Sequence, residues 1–263
     1  MSTVTPPVAG VPYREGLTAG TKHAAIRLLV FLVYAVVFGF ACVQLDLFAR
    51  SHHVDPGSPY WGWFGVLTVF ALWFLSATLT NDWNPFALAM GADNRLSTSK
   101  FQVWLWTAGV GFVYMMVYAD RAISVGHYEP LTAIPQNVLI ALGISVTSAV
   151  AAQAITGSKV RADPDAPPPN PTPSYDPSAL VRNDDQSTAS LTKVQLLFWT
   201  LIAVVVFLVT AFDSVGTIAG CVPHGTTACG LPDIDTTLML FMGLGHATYI
   251  GGKLATPAVT SGL

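Results

Sequence analysis

Six apolar windows separated by short polar segments constrain this chain more than any other feature. Residues 24–45, 61–80, 101–119, 138–155, 194–212 and 237–254 each supply the roughly 20 mainly apolar residues that a helix needs to cross a hydrocarbon core. Backbone polar groups find no water inside a bilayer, so such windows must satisfy them internally, as helices do. The expected fold class is therefore all-α, a polytopic membrane bundle of six transmembrane helices. Composition agrees, because only 10% of the residues are charged, against about 25% in soluble domains. The fourth and sixth windows are richer in Gly, Ser, Thr and Ala, which suits helices that pack at short range.

Orientation follows from the cations. With the N-terminus in the cytoplasm, Arg14, Lys22, Arg27, Arg95, Lys100, Lys159, Arg161, Arg182, Lys193 and Lys253 lie inside, and Arg50 and Arg121 lie outside. Cytoplasmic loops carry the excess of Lys and Arg in membrane proteins, so both termini are expected in the cytoplasm and the bilayer is expected to be the plasma membrane. Cys221 and Cys229 then fall together in the outer loop between the last two spans, where a disulfide is chemically allowed. Two free thiols are the alternative, since spacing does not establish geometry. Cys42, inside the first span, reads as a small packing residue.

An internal repeat organises the second half of the chain. Ser97, Lys100, Gln102, Trp106, Thr107 and Asp120 recur as Ser190, Lys193, Gln195, Trp199, Thr200 and Asp213 at a constant offset. In the next span, Ile134, Leu139, Leu142, Gly143 and Ile144 face Ile234, Met239, Met242, Gly243 and Leu244. Spans three and four and spans five and six are therefore expected to form parallel repeated hairpins, related by a pseudo-twofold axis along the membrane normal. The expected divisions are a disordered cytoplasmic tail over 1–23, an N-terminal hairpin over 24–96, repeat hairpins over 97–157 and 191–263, and a cytoplasmic linker over 158–190. That linker holds seven of the 18 Pro and almost no large apolar residues, a composition suited to an extended tether or to docking a cytoplasmic protein that binds Pro-rich strands.

Each polar residue in the spans has a packing explanation and a functional one. Ser99 with Gln102, and Thr192 with Gln195, have capping-box spacing, which accounts for the Gln without a ligand. Lys100 and Lys193 at the inner interface, with Trp106 and Trp199 a turn further in, could contact lipid head groups. Asp120 and Asp213 occupy matching outer positions; they either end their helices in the wet interface or form the acidic rim of a cation path. His246 lies near the middle of the sixth span, where an ionisable side chain is a candidate for a proton switch or constriction, or donates one hydrogen bond as a neutral packing residue. Gly143, Gly243, Gly245, Gly251 and Gly252 are small enough to form helix-packing surfaces, including those of a homo-oligomer.

Chemistry beyond the membrane is not indicated. A net charge of −3 offers no basic surface for nucleic acid. Nucleotide-binding glycine loops, paired His at metal spacing and nucleophile elbows are missing from the sequence, which points away from an enzyme and implies neither cofactor nor metal. The expectation is a non-enzymatic membrane scaffold or anchoring module, partnered by the lipid bilayer, by its own copies and by a cytoplasmic protein at the linker. The alternative is a small-ion channel or transporter built on Asp120, Asp213 and His246.

Overall fold

The computed structural model describes residues 14–80, 83–91, 94–129, 131, 133–162, 174–183, 188–221 and 230–255. The described residues are all-helical with no strands: α1 (Arg14–Ser51), α2 (Gly62–Thr80), α3 (Thr98–Asp120), α4 (Gln136–Ala162), α5 (Leu191–Ala219) and α6 (Thr236–Ala255). Five stretches are long and apolar enough to cross a membrane: Leu32–Ser51, Pro59–Thr80, Thr98–Val125, Gln136–Ile155 and Leu191–Ala219. The chain is accordingly described as a membrane protein. Helix α6 has a span's length at 20 residues, but its Gly, Thr and His content leaves it outside those five.

Helix α3 is the centre of the molecule. It packs against α2, α4 and α5, while α4 and α5 each also pack against α6. Small residues on α2 make the first of these contacts close. A β-carbon on Gly65 would lie 2.6 Å from the Phe112 ring, so only glycine admits that ring against α2. The main core gathers Trp61 and Phe64 of α2 and its preceding turn, Trp106, Val113 and Met116 of α3, and Phe207 and Val215 of α5.

The two C-terminal hairpins lie side by side, α3 along α5 and α4 along α6. This arrangement does not fit the expected twofold axis. Such an axis would have to pass between both equivalent pairs, and two pairs each about 9 Å apart across one axis would bring non-equivalent helices to about 6 Å, closer than helices pack. The hairpins are instead displaced sideways in the same sense. Contacts between them agree, because the Asn137 amide nitrogen donates to Asp233 at 3.1 Å and to the Ile234 carbonyl at 3.0 Å, and the Leu231 amide donates to the Ala133 carbonyl.

Helix starts also differ from the sequence expectation. Ser97 and Ser190 are the N-caps, with nearly the same extended backbone (φ −96°, ψ 121° and φ −96°, ψ 111°), and the Ser190 hydroxyl accepts from the Lys193 amide. The helices therefore begin ahead of Ser99 and Thr192, and the expected capping boxes do not form. Asp235 caps α6, where hydrogen bonds from the Thr237 side chain and amide and the Leu238 amide hold its carboxyl below the usual carboxylate range.

Two expected polar segments contain structure. Residues 14–23, assigned to the tail, belong to α1, and 158–162, assigned to the linker, complete α4. Further along the linker, a short 3-10 turn at Pro177–Leu180 packs Ala179 and Leu180 against Ala89 and Leu96 of the α2–α3 connection. Tyr175, Phe86 and Phe101 close over this small second core. Apolar residues scattered thinly through a Pro-rich stretch suffice once another loop supplies the opposing surface. The remaining linker residues, 163–173 and 184–187, lie outside the described residues.

At the other end of the bundle, the α1–α2 loop touches α5 backbone to backbone. Gly57 has φ +80°, and a β-carbon there would sit 3.1 Å from the Gly216 Cα. Gly57→Ala is expected to lower stability by about 1–3 kcal/mol through backbone strain and overpacking. Gly143→Ala, with nothing near its added methyl, is expected to be neutral or to stabilise by about 0.5–1 kcal/mol. Thermal unfolding of the two variants in one detergent checks both signs.

Candidate functional site

Three polar groupings were brought together by the fold: a latch at the Asp120 end, a set of buried polar atoms inside the bundle, and a groove beside Lys100. Neither a family model, a curated protein nor a solved structure matches the chain.

The latch begins where α3 runs into a π-helical turn, Arg121–Val125. Asp120 is fully buried. One carboxylate oxygen accepts from the Gly57 amide at 2.8 Å, and the other accepts from the Ser124 hydroxyl. Asp120 thus holds the α1–α2 loop onto α3, and its oxygens are not presented to an ion at the surface. Asp213 is exposed near the corresponding end of α5. The matched pair expected for an acidic rim is therefore split between a buried structural carboxylate and a surface one. The reason is position, because the α1–α2 loop covers α3 at this level.

Arg121 is the residue that sequence reasoning passed over as one of two outer cations. It is 1% exposed, its Nη1 donates to the Cys221 carbonyl at 2.6 Å, and its Nη2 lies 4.0 Å from Glu129. The guanidinium thereby ties the end of α5 to the end of α3. Cys221 is disulfide-bonded and Cys42 is a free thiol. Cys229, its expected partner, lies outside the described residues. A cation on the expected outer side was the available signal for Arg121; the π-turn that directs it inward has no sequence signature.

Inside the bundle, Gln102 bridges α3 and α5. Its side-chain amide donates to the Leu196 carbonyl at 3.2 Å and to the Thr200 hydroxyl, which itself donates to Leu196. One turn further along, Trp106 is fully buried and packs on Phe207 with ring centroids 6.2 Å apart. That burial removes Trp106 from any head-group contact. Lys193 is also buried, and Trp199 stacks on Phe241 at 4.5 Å. Of the four expected lipid-contact residues, Lys100 lines a cavity open to the surface.

The faces of α4 and α6 that point inward follow alternating three- and four-residue steps. Val138, Ala141, Ser145, Ser148 and Ala152 are buried on α4, and Met239, Met242, His246 and Tyr249 on α6. Ser145 and His246 occupy the same step of the two series. The sequence register that sets Gly143 against Gly243 would instead place Val146 opposite His246, and Val146 is 46% exposed. His246 is 3% exposed, and neither of its ring nitrogens has a hydrogen-bond partner among the described residues; the same holds for the Ser145 hydroxyl, the Trp106 indole N–H and the Gln102 carbonyl. These atoms offer donors and acceptors on three helices, in surroundings where an unmet polar group is costly.

Gly245 meets Leu196, with a β-carbon there 3.3 Å from its Cδ1, whereas an added β-carbon at Gly143, Gly243, Gly251 or Gly252 meets nothing within 4 Å among the described residues. On α4 the small buried residues are instead Ala141, Ser145, Ser148 and Ala152, of which Ala152 clusters with Tyr249 of α6.

The two aspartates give a direct test of the latch. Asp120→Ala leaves the Gly57 amide and Ser124 hydroxyl without their acceptor and is expected to cost about 1–3 kcal/mol. Asp213→Ala, on the surface, is expected to stay within about 0.5 kcal/mol of wild type. Unfolding midpoints of the purified variants check the contrast, and equal effects would count against an assignment based on burial.

Proposed function

We propose that this protein is a non-enzymatic, six-span membrane anchoring module of the plasma membrane, with both termini in the cytoplasm, that presents its Pro-rich segment to a cytoplasmic protein. Helix α6 is taken as the sixth span, since 20 residues reach about 30 Å at 1.5 Å per residue. The two C-terminal hairpins are read as copies of one unit, a reading supported by the shared backbone of Ser97 and Ser190. The open glycine positions on α4 and α6 are read as contacts between copies in a homo-oligomer.

The observation that carries the proposal is the anchoring of the chain on both sides of the Pro-rich run. On one side α4 continues to Ala162. On the other, the Ser174 amide donates to the Asn94 carbonyl at 2.9 Å, the Thr98 hydroxyl donates to the Leu180 carbonyl at 2.8 Å, and Leu180 is buried in the second core. A slack tether needs no such seat. Holding both ends of a Pro-rich segment reduces the conformational freedom that a partner would otherwise have to remove.

Replacing 163–173 with a Gly/Ser segment of equal length preserves the span between anchors and removes the prolines. Recovery of a cytoplasmic partner in crosslinked pull-downs is expected to fall to background, with membrane insertion unchanged. Undiminished recovery would remove the segment from the proposal.

A second reading, conduction of a small ion, is favoured by His246 and its unpartnered nitrogens, without the acidic rim. Unitary currents in a planar bilayer that change in a His246→Ala variant would promote it. Silence from folded, inserted protein would leave the anchoring module.

A further inference from the structure

A groove of about 330 Å³ opens on the bundle surface between α2, α3 and α4. Its two long walls are matching helical stripes: Lys100, Val103, Trp104 and Thr107 on α3, and Val146, Ala149, Val150 and Gln153 on α4. Each stripe has the i, i+3, i+4, i+7 spacing of one helix face and runs about 10 Å at 1.5 Å per residue. Leu72 of α2 and Leu88 of the following turn complete the lining. Because α3 and α4 run antiparallel, Lys100 and Gln153 share one end of the groove, and Thr107 and Val146 share the other.

The two ends differ chemically. Lys100 has three N–H donors, of which one goes to the Met90 carbonyl at 2.8 Å. Among the described residues it makes no ion pair. Gln153 beside it is exposed and adds an amide donor. Beyond them the walls are Val103, Ala149, Val150 and Leu72, all apolar. The Trp104 indole packs edge-on against Phe86 and has an N–H without a partner among the described residues. A cation with spare donors at the mouth of an apolar trough matches, in charge and polarity, an anionic head group joined to the upper part of an acyl chain.

We propose that this groove binds one anionic phospholipid, with its phosphate on Lys100 and Gln153 and one acyl chain along Val103, Val146 and Val150. The second hairpin differs at the matching positions: among the described residues Lys193 is buried and Trp199 is stacked on Phe241. The lipid lies against α2, α3 and α4 together and bridges the N-terminal hairpin to the first repeat hairpin.

Native mass spectrometry of the delipidated full-length chain in detergent tests this, with phosphatidylglycerol and phosphatidylcholine titrated separately. One phosphatidylglycerol is expected to be retained in preference to phosphatidylcholine. Lys100→Gln is expected to weaken it about fivefold, the effect of one cation at a charged lipid surface, and Lys100→Arg to restore it. Val150→Trp, at a position 63% exposed, fills the trough without altering charge and is expected to abolish the retained lipid while the unfolding midpoint stays unchanged. Wild-type retention by Val150→Trp or Lys100→Gln, equal binding of phosphatidylcholine, or displacement by millimolar inorganic phosphate would each overturn the proposal.

Discussion

The burial of α3 on three sides is the constraint on which the rest of the molecule depends. The polar residues on the faces of α3 that α2, α4 and α5 enclose cannot reach solvent, so each must find a partner within the protein or bear the cost of having none. Gln102 meets that demand through Leu196 and Thr200, and Asp120 meets it through Gly57 and Ser124. These bonds join α3 to α5 at one level and to the α1–α2 loop at another. Both ends of the enclosed helix are thereby set in register against their neighbours.

Sideways stacking of the hairpins explains why equal residues lead unequal lives. The first hairpin lies between α2 and the second hairpin, whereas the main helix contacts of the second among the described residues are with the first. Gln102, Trp106 and Asp120 are consequently buried, while Gln195 and Asp213 are exposed and Trp199 is partly so. The groove beside Lys100 belongs to the same asymmetry, since its wall includes α2, for which the second hairpin has no counterpart. Residues that recur in the sequence can in this way meet different surroundings.

Much of the architecture was legible in the sequence. The windows at 101–119, 138–155 and 194–212 fall inside α3, α4 and α5, the window at 61–80 coincides with α2 but for Trp61 in the preceding turn, and the connection carrying Cys221 separates α5 from α6. Less legible was the second core, because Ala179 and Leu180 stand in a Pro-rich stretch and become a core only when Ala89 and Leu96 face them. Ser145 was missed for a related reason. A lone Ser in a small-residue helix is unremarkable until its step in the inward series is matched to that of His246. The capping boxes failed by a small shift of the helix start, which puts Ser97 and Ser190 at the N-cap positions, Ser190 alone of the two accepting a capping bond there.

Length and apolar content by themselves determined that this chain forms membrane-length helices, because a backbone in lipid must satisfy its hydrogen bonds within each segment and that requirement is local. The recurrence of Ser, Lys, Gln, Trp and Asp was likewise present in the sequence. Tertiary structure alone decided which copy of each would be buried, that Arg121 would turn inward to Cys221, and that Lys100 would stand at the mouth of a groove. Those outcomes depend on which helices are neighbours, and a side chain's burial and partners are properties of that neighbourhood rather than of its own segment.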